Sequence, residues 1–253
     1  MKFKAEHDEV LAALERIGNS RLAASMAVDR KSGLQYCGVR VPDRRALEKE
    51  GFSFSSREPA KLRQIWDSLW LSAENADVMS CALDHFKRMR ARKGGDLEMW
   101  RTVRNWVWRI ENWAHADDLC TLYSRILEAH CDQVMPELVH WNRGTAMWPK
   151  RISIVSLIHN TGKNAVFLPA RTMLPMISRC LKDNRDYMQK AVGWVLRELR
   201  TAHPEETEEF MLANLTDIAP QSLTRALERV STNVRAEWRG RRAELLRTKT
   251  VES

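Results

Sequence analysis

Apolar residues return every three or four positions along almost the whole chain, a period that admits helices and leaves little room for strands. Between positions 77 and 92 they fall at Met79, Ala82, Leu83, Phe86 and Met89, with charged residues on the opposite face. The same spacing predicts helices over 7–17, 59–71, 77–92, 99–110, 117–129, 149–159, 174–181, 187–200, 204–215 and 222–230. Breakers fall between them at 33–42, 51–59, Gly94-Gly95, 142–144, 160–164, 182–184 and His203-Pro204. No segment shows the strict alternation or β-branched enrichment of a strand, so the fold class is all-α.

This rhythm of helix and breaker points to stacked helix pairs. A degenerate two-helix period of roughly 40 residues is what a HEAT-like helical-repeat α-solenoid shows, and such stacks bind extended partners on their concave wall. No shift in composition marks a boundary, so one domain is expected over 1–234. The stretch 235–253 is dense in charge and poor in apolar residues, and is expected to form a short frayed helix or a disordered basic tail.

The charge balance narrows the partner. Of 253 residues, 41 are Lys or Arg and 33 are Asp or Glu, a net +8 that favours an anionic partner such as nucleic acid or an acidic membrane surface. Five cysteines, widely spaced and with no CxxC pair, fit a reducing compartment and neither a disulfide framework nor a zinc ribbon. No apolar run reaches the roughly 18 residues of a membrane span, and acids interrupt the pattern at the start of the sequence. A cytoplasmic protein without cofactor or metal is expected. Phosphate loops, dinucleotide fingerprints, Gly-x-Ser-x-Gly elbows and His-Glu-x-x-His pairs are all missing.

Four features could carry chemistry. The ten tryptophans outnumber tyrosine and phenylalanine together; each could fill a gap between helices or serve as an aromatic platform in a basic groove. In Glu111-Asn112-Trp113-Ala114-His115-Ala116-Asp117-Asp118, helical spacing sets Trp113 and Asp117 on one face, as a cationic transition state would require. Equally, Asn112 or Glu111 could start a helix and the two aspartates could answer its dipole. His115 points elsewhere and reads as a surface or supporting residue. Met147-Trp148-Pro149-Lys150-Arg151 puts two cations in what reads as the first turn of a helix, which makes sense beside a phosphate or as a solvated basic turn. In the helix 187–200, Gly193 interrupts an otherwise regular pattern, which fits close packing; Trp194 and Arg197 share a face.

Taken in order, these segments resemble the AlkD-like DNA alkylation repair family of helical-repeat DNA glycosylases. The matching residues are Tyr36-Cys37-Gly38-Val39-Arg40-Val41-Pro42 with Arg44-Arg45, the Trp113/Asp117 segment, Trp148-Pro149-Lys150-Arg151, the block from Gln189 to Glu198, and Ile218-Ala219-Pro220 with Arg225-Ala226. The resemblance implies a catalytic cluster of Asp117, Trp113 and Trp194, with Arg151 holding backbone phosphate near the lesion. Trp148, Lys150, Lys190 and Arg197 would complete the grip on double-stranded DNA. It further implies a monomer that excises N3- or N7-alkylated purines without a base-flipping pocket. Ala114 and His115 depart from the family pattern, as does Asp29, which stands where aromatic residues are common. A non-catalytic helical-repeat protein that binds damaged or branched DNA is the alternative.

Overall fold

The computed structural model describes residues 2–90, 96–159 and 164–251, without the side chains of 249–251. The Gly94-Gly95 break, the end of the helix expected over 77–92 and most of the 160–164 break lie outside the described residues. Within them the chain is all-α, with fourteen α-helices, one 3-10 helix and two isolated β-bridges. It divides into two compact units, Met1–Ile126 and Leu127–Ser253.

The first unit holds α1 (Lys4–Ile17), α2 (Ser20–Arg30), α3 (Val41–Glu50), α4 (Pro59–Ser72), α5 (Ala76–Arg90), α6 (Asp96–Val103), a 3-10 helix (Arg104–Arg109) and most of α7 (Trp113–Ala129). The single helix expected over 99–110 is therefore two, and α2 and α3 stand where no helix was expected. Helix starts follow local chemistry. Asn19 Oδ1 accepts from the Leu22 N–H, Asn75 Oδ1 from Asp77 N–H and Asn112 Oδ1 from His115 N–H, and prolines 42 and 59 lie in the first turns of α3 and α4.

Helix α5 is the axis of this unit, since every residue from Ala76 to Phe86 is buried. A helix buried all round must find partners for its polar side chains internally, and α5 finds most of them 35 to 40 residues away, with Asp77 Oδ1 left without a hydrogen bond. Asp77 Oδ2 accepts from the N–H groups of Cys37 and Gly38, at 2.8 and 3.1 Å. Asp84 accepts from Arg44 Nε at 2.7 Å and Arg45 Nε at 3.1 Å. Ser80 pairs with His115, and His85 with Glu48 at 2.8 Å. The recurring separation is the two-helix period, written in side-chain hydrogen bonds although no sharp sequence repeat exists. Gly38, at φ +76° with its would-be Cβ 2.2 Å from the Asn19 carbonyl oxygen, must be glycine for this register.

The second unit holds α8 (Cys131–Arg143), α9 (Met147–Val155), α10 (Ala170–Ser178), α11 (Asp186–Ala202), α12 (Pro204–Ala213), α13 (Pro220–Ala226) and α14 (Thr232–Val251). Helix α11 buries Met188, Ala191, Val192, Val195, Leu196 and Leu199 and packs against α9, α12 and α13. Helix α8 escaped expectation because Pro136 lies inside it, yet Val134, Leu138 and Trp141 form its buried stripe. Asn142 at its end is fully buried and donates to Ser153 Oγ and the Met176 carbonyl.

Residues 235–251 do not form a short frayed helix or a disordered tail: they belong to a 20-residue helix, Thr232–Val251. Trp238, 8% exposed, anchors it, and Arg242 Nε donates to the Ile218 carbonyl at 3.3 Å. A single buried indole offsets the low apolar content that pointed to fraying.

Candidate active site

The ten tryptophans sort by burial. Trp66, Trp70, Trp100, Trp106, Trp141 and Trp238 are buried, and Trp70 stacks on Trp106 with centroids 4.6 Å apart. Trp108 is 58% exposed. The three that are half-buried are Trp113, Trp148 and Trp194, which are the three singled out from the sequence.

In the first unit, Asn112 caps α7 so that Trp113 is its first residue and Asp117 follows one turn later, on the same face. Both are half-buried. The aspartates therefore lie beyond the first turn, where the helix dipole has little left to give. Asp118 has a separate duty. It accepts from Lys87 Nζ at 2.7 Å; burial pushes its carboxyl up, and the Lys87 ammonium outweighs this and holds it below the usual range.

His115 is not a surface residue; it is 1% exposed. Asn112 Nδ2 donates to its Nδ1 at 3.2 Å, which leaves Nε2–H to face the Ala76 carbonyl at 3.1 Å and Ser80 Oγ at 3.0 Å. Burial is the largest influence on this imidazole and pushes its pKa down to about 4, so it is neutral at physiological pH. One Asn–His pair thus fixes the start of α7, and with it the rotation that presents Trp113 and Asp117. The signal was in the sequence: Leu119, Leu122 and Tyr123 follow His115 at +4, +7 and +8, the spacing of a core face.

In the second unit, α9 starts two residues before Pro149, so Lys150 and Arg151 fall just past its first turn rather than in it. Arg151 is 4% exposed and donates from Nη1 to the Tyr187 carbonyl at 2.7 Å, joining α9 to the start of α11. The Trp148 and Tyr187 rings lie 5.0 Å apart, and Lys190 Nζ sits 5.5 Å from the Tyr187 centroid while pairing with Asp186 at 2.8 Å. Arg197 is held by Glu198 at 2.8 Å and by Glu228. Glu198 is itself 8% exposed and also accepts from Arg229. Lys150 is half-buried and has no carboxylate within ion-pair distance among the described residues.

An all-α helical-repeat chain that presents an indole and a carboxylate from the first turns of one helix, and cations around a half-buried indole on others, is the class defined here. The profile of the DNA alkylation repair enzyme family matches residues 10–230, and the chain belongs to that family. A solved structure described as a predicted DNA alkylation repair enzyme from Enterococcus faecalis is similar over 85% of this chain and 97% of its own, with TM-score 0.68 and 17% identity. AlkD2 from Streptococcus mutans is similar over 84% and 99%, with TM-score 0.53 and 14% identity. Comparison with curated protein sequences finds no match. No described helix is long and apolar enough to cross a membrane.

Proposed function

We propose that this chain is a cytoplasmic, monomeric DNA N-glycosylase that excises N3- or N7-alkylated purines from duplex DNA, opening base excision repair. One observation carries the reading. At the start of α7, the Trp113 indole and the Asp117 side chain stand half-exposed one helical turn apart on one face.

Alkylation at N3 or N7 places positive charge on the purine, so the base departs neutral and needs little acid assistance. The remaining barrier is positive charge growing on the deoxyribose as the glycosidic bond breaks. The Asp117 carboxylate stabilises that charge and orients the attacking water, which adds to the sugar as its proton leaves. Trp113 offers an electron-rich face to the same charge, and the family resemblance gives Trp194 the same role, each contributing about 0.5–2 kcal/mol. A lone carboxylate suffices because the leaving group brings its own activation, unlike the paired carboxylates of ordinary glycosidases.

The test is single-turnover release of free N7-methylguanine from methylated duplex DNA by the wild type and Asp117→Asn. Release that collapses in the variant supports the assignment. Tight duplex binding with no release by either protein would move the reading to a DNA-binding scaffold.

A further inference from the structure

Helix α2 ends on a guanidinium that its own unit leaves unused. Arg30 is half-buried, and among the described residues none of its N–H groups meets a carboxylate or a carbonyl. What holds it is a ring: the guanidinium carbon lies 5.4 Å from the Tyr36 centroid. Stacking engages the face of a guanidinium and leaves its donors free around the edge. A cation in the last turn answers the helix dipole, but that requires charge alone and not a planar group laid on a tyrosine.

The ring itself is fixed. Ser32 Oγ and the Tyr36 hydroxyl are bonded at 2.6 Å. On either side of Tyr36 the backbone is tied to the start of α5. Gln35 N–H donates to the Glu74 carbonyl and the Gln35 carbonyl accepts from Ala76 N–H, both at 2.8 Å, while Cys37 N–H donates to Asp77 Oδ2 at 2.8 Å. The Ala76 carbonyl in turn accepts from His115 Nε2 at 3.1 Å. One residue, Ala76, therefore joins the platform under Arg30 to the start of α7, which presents Trp113 and Asp117. Gly33, three residues after Arg30, lies so close to that start that a Cβ on it would be 3.6 Å from Glu111 Oε2. Burial and the bond to Ala76 act first on the His115 imidazole; the next influence is the charge of Arg30, which pushes its pKa down, ahead of that of Asp118 on the same helix. The carboxylates nearby are held elsewhere or stand apart. Glu111 pairs with Arg109 at 3.5 Å and Asp118 with Lys87, and Asp29 is exposed and outside ion-pair distance of Arg30.

We propose that Arg30, laid on Tyr36, is a phosphate ligand of duplex DNA in the first unit, beside the face that carries Trp113 and Asp117. The proposal rests on duplex DNA being the partner. A planar fork with free edges matches the two unesterified oxygens of a phosphodiester, and a ring that fixes its plane reduces the freedom lost on binding. A cation here offsets the repulsion that a phosphate meets from Asp29 and Asp117. It also does what the resemblance assigned to other arginines, of which Arg151 is spent on the Tyr187 carbonyl and Arg197 on two glutamates.

The experiment is fluorescence anisotropy of the full chain on an unmodified duplex across a salt series, for the wild type, Arg30→Gln and Lys31→Gln. The last removes the neighbouring exposed cation and measures the effect of bulk charge. Urea midpoints confirm that all three proteins are folded. Arg30→Gln should lower the slope of log K against log salt by about 0.9 and weaken binding about five- to tenfold at 0.1 M salt, with less than about half that effect from Lys31→Gln. Below saturation, N7-methylguanine release by Arg30→Gln should fall in proportion to its affinity, because the contact belongs to the productive complex. Wild-type slope and affinity in Arg30→Gln would overturn the proposal, as would equal losses in the two variants or weaker binding with release untouched. If the wild type fails to bind duplex, the DNA reading falls and the proposal with it. If it binds without releasing base, the glycosylase reading falls alone and the salt slope still decides.

Discussion

Gly193 of α11 lies so close to Ser222 of α13 that a Cβ on it would sit 2.6 Å from the Ser222 carbonyl oxygen and 2.7 Å from Arg225 Cβ. Alanine is worth about 1 kcal/mol over glycine in a helix interior, but here the obstacle is backbone that cannot swing aside. Gly193→Ala should therefore lower stability by about 1–3 kcal/mol by forcing α11 and α13 apart. A urea midpoint at or above that of the wild type would show that the helices separate freely.

His115 ties stability to pH. Its ordinary pKa is 6.5 and its folded value about 4, so between these limits the unfolded chain binds a proton that the folded chain refuses. Stability from this group is complete above 6.5 and declines as pH falls toward 4, by at most about 1.4 kcal/mol per unit. The wild type should lose about 1–2 kcal/mol between pH 6.5 and 5 that His115→Asn does not lose. Parallel urea midpoints for the two proteins over that range would remove His115 as the cause.

Asp84 is the hinge of a buried charge network, holding Arg44 at 2.7 Å with both side chains 3% exposed. Asp84→Asn leaves the Arg44 guanidinium buried without its counter-charge, which should cost about 3–5 kcal/mol. The double variant D84L/R44M removes both charges and should cost much less than either single change. Additive losses in urea denaturation would mean that the pair is not coupled.

The helical period made the fold legible, because burial of one face imposes it on every helix that the breakers leave intact. Helix α8 was hidden by Pro136, and α2 by having no buried residue to mark its face. The stretch after 235 misled because Trp238 does alone what a stripe of leucines does elsewhere. At the site, Trp113, Trp148 and Trp194 are the tryptophans that the fold leaves half-buried, a property that spacing alone does not encode. What spacing could not reveal is which cations are already used. Arg151 and Arg197 have the sequence profile of phosphate ligands, yet one clamps Tyr187 and the other is shared by two glutamates.

That difference separates two residues assigned to DNA in the same way. Lys150 is half-buried and, among the described residues, has no carboxylate within ion-pair distance; it acts on Asp183 only through longer-range attraction, and Asp183 is itself held by Arg185. Lys150→Gln should weaken duplex binding and reduce the salt slope by about 0.9 while leaving the urea midpoint in place. Arg197, by contrast, has a side chain only 14% exposed and neutralises Glu198, itself 9% exposed. Arg197→Gln leaves that carboxylate with Arg229 alone and should lower stability by about 1–3 kcal/mol with little change in salt slope. Should Arg197→Gln instead reduce the slope by one unit at unchanged stability, the guanidinium leaves its glutamates for the DNA backbone, and the ion pair is a resting arrangement that binding breaks.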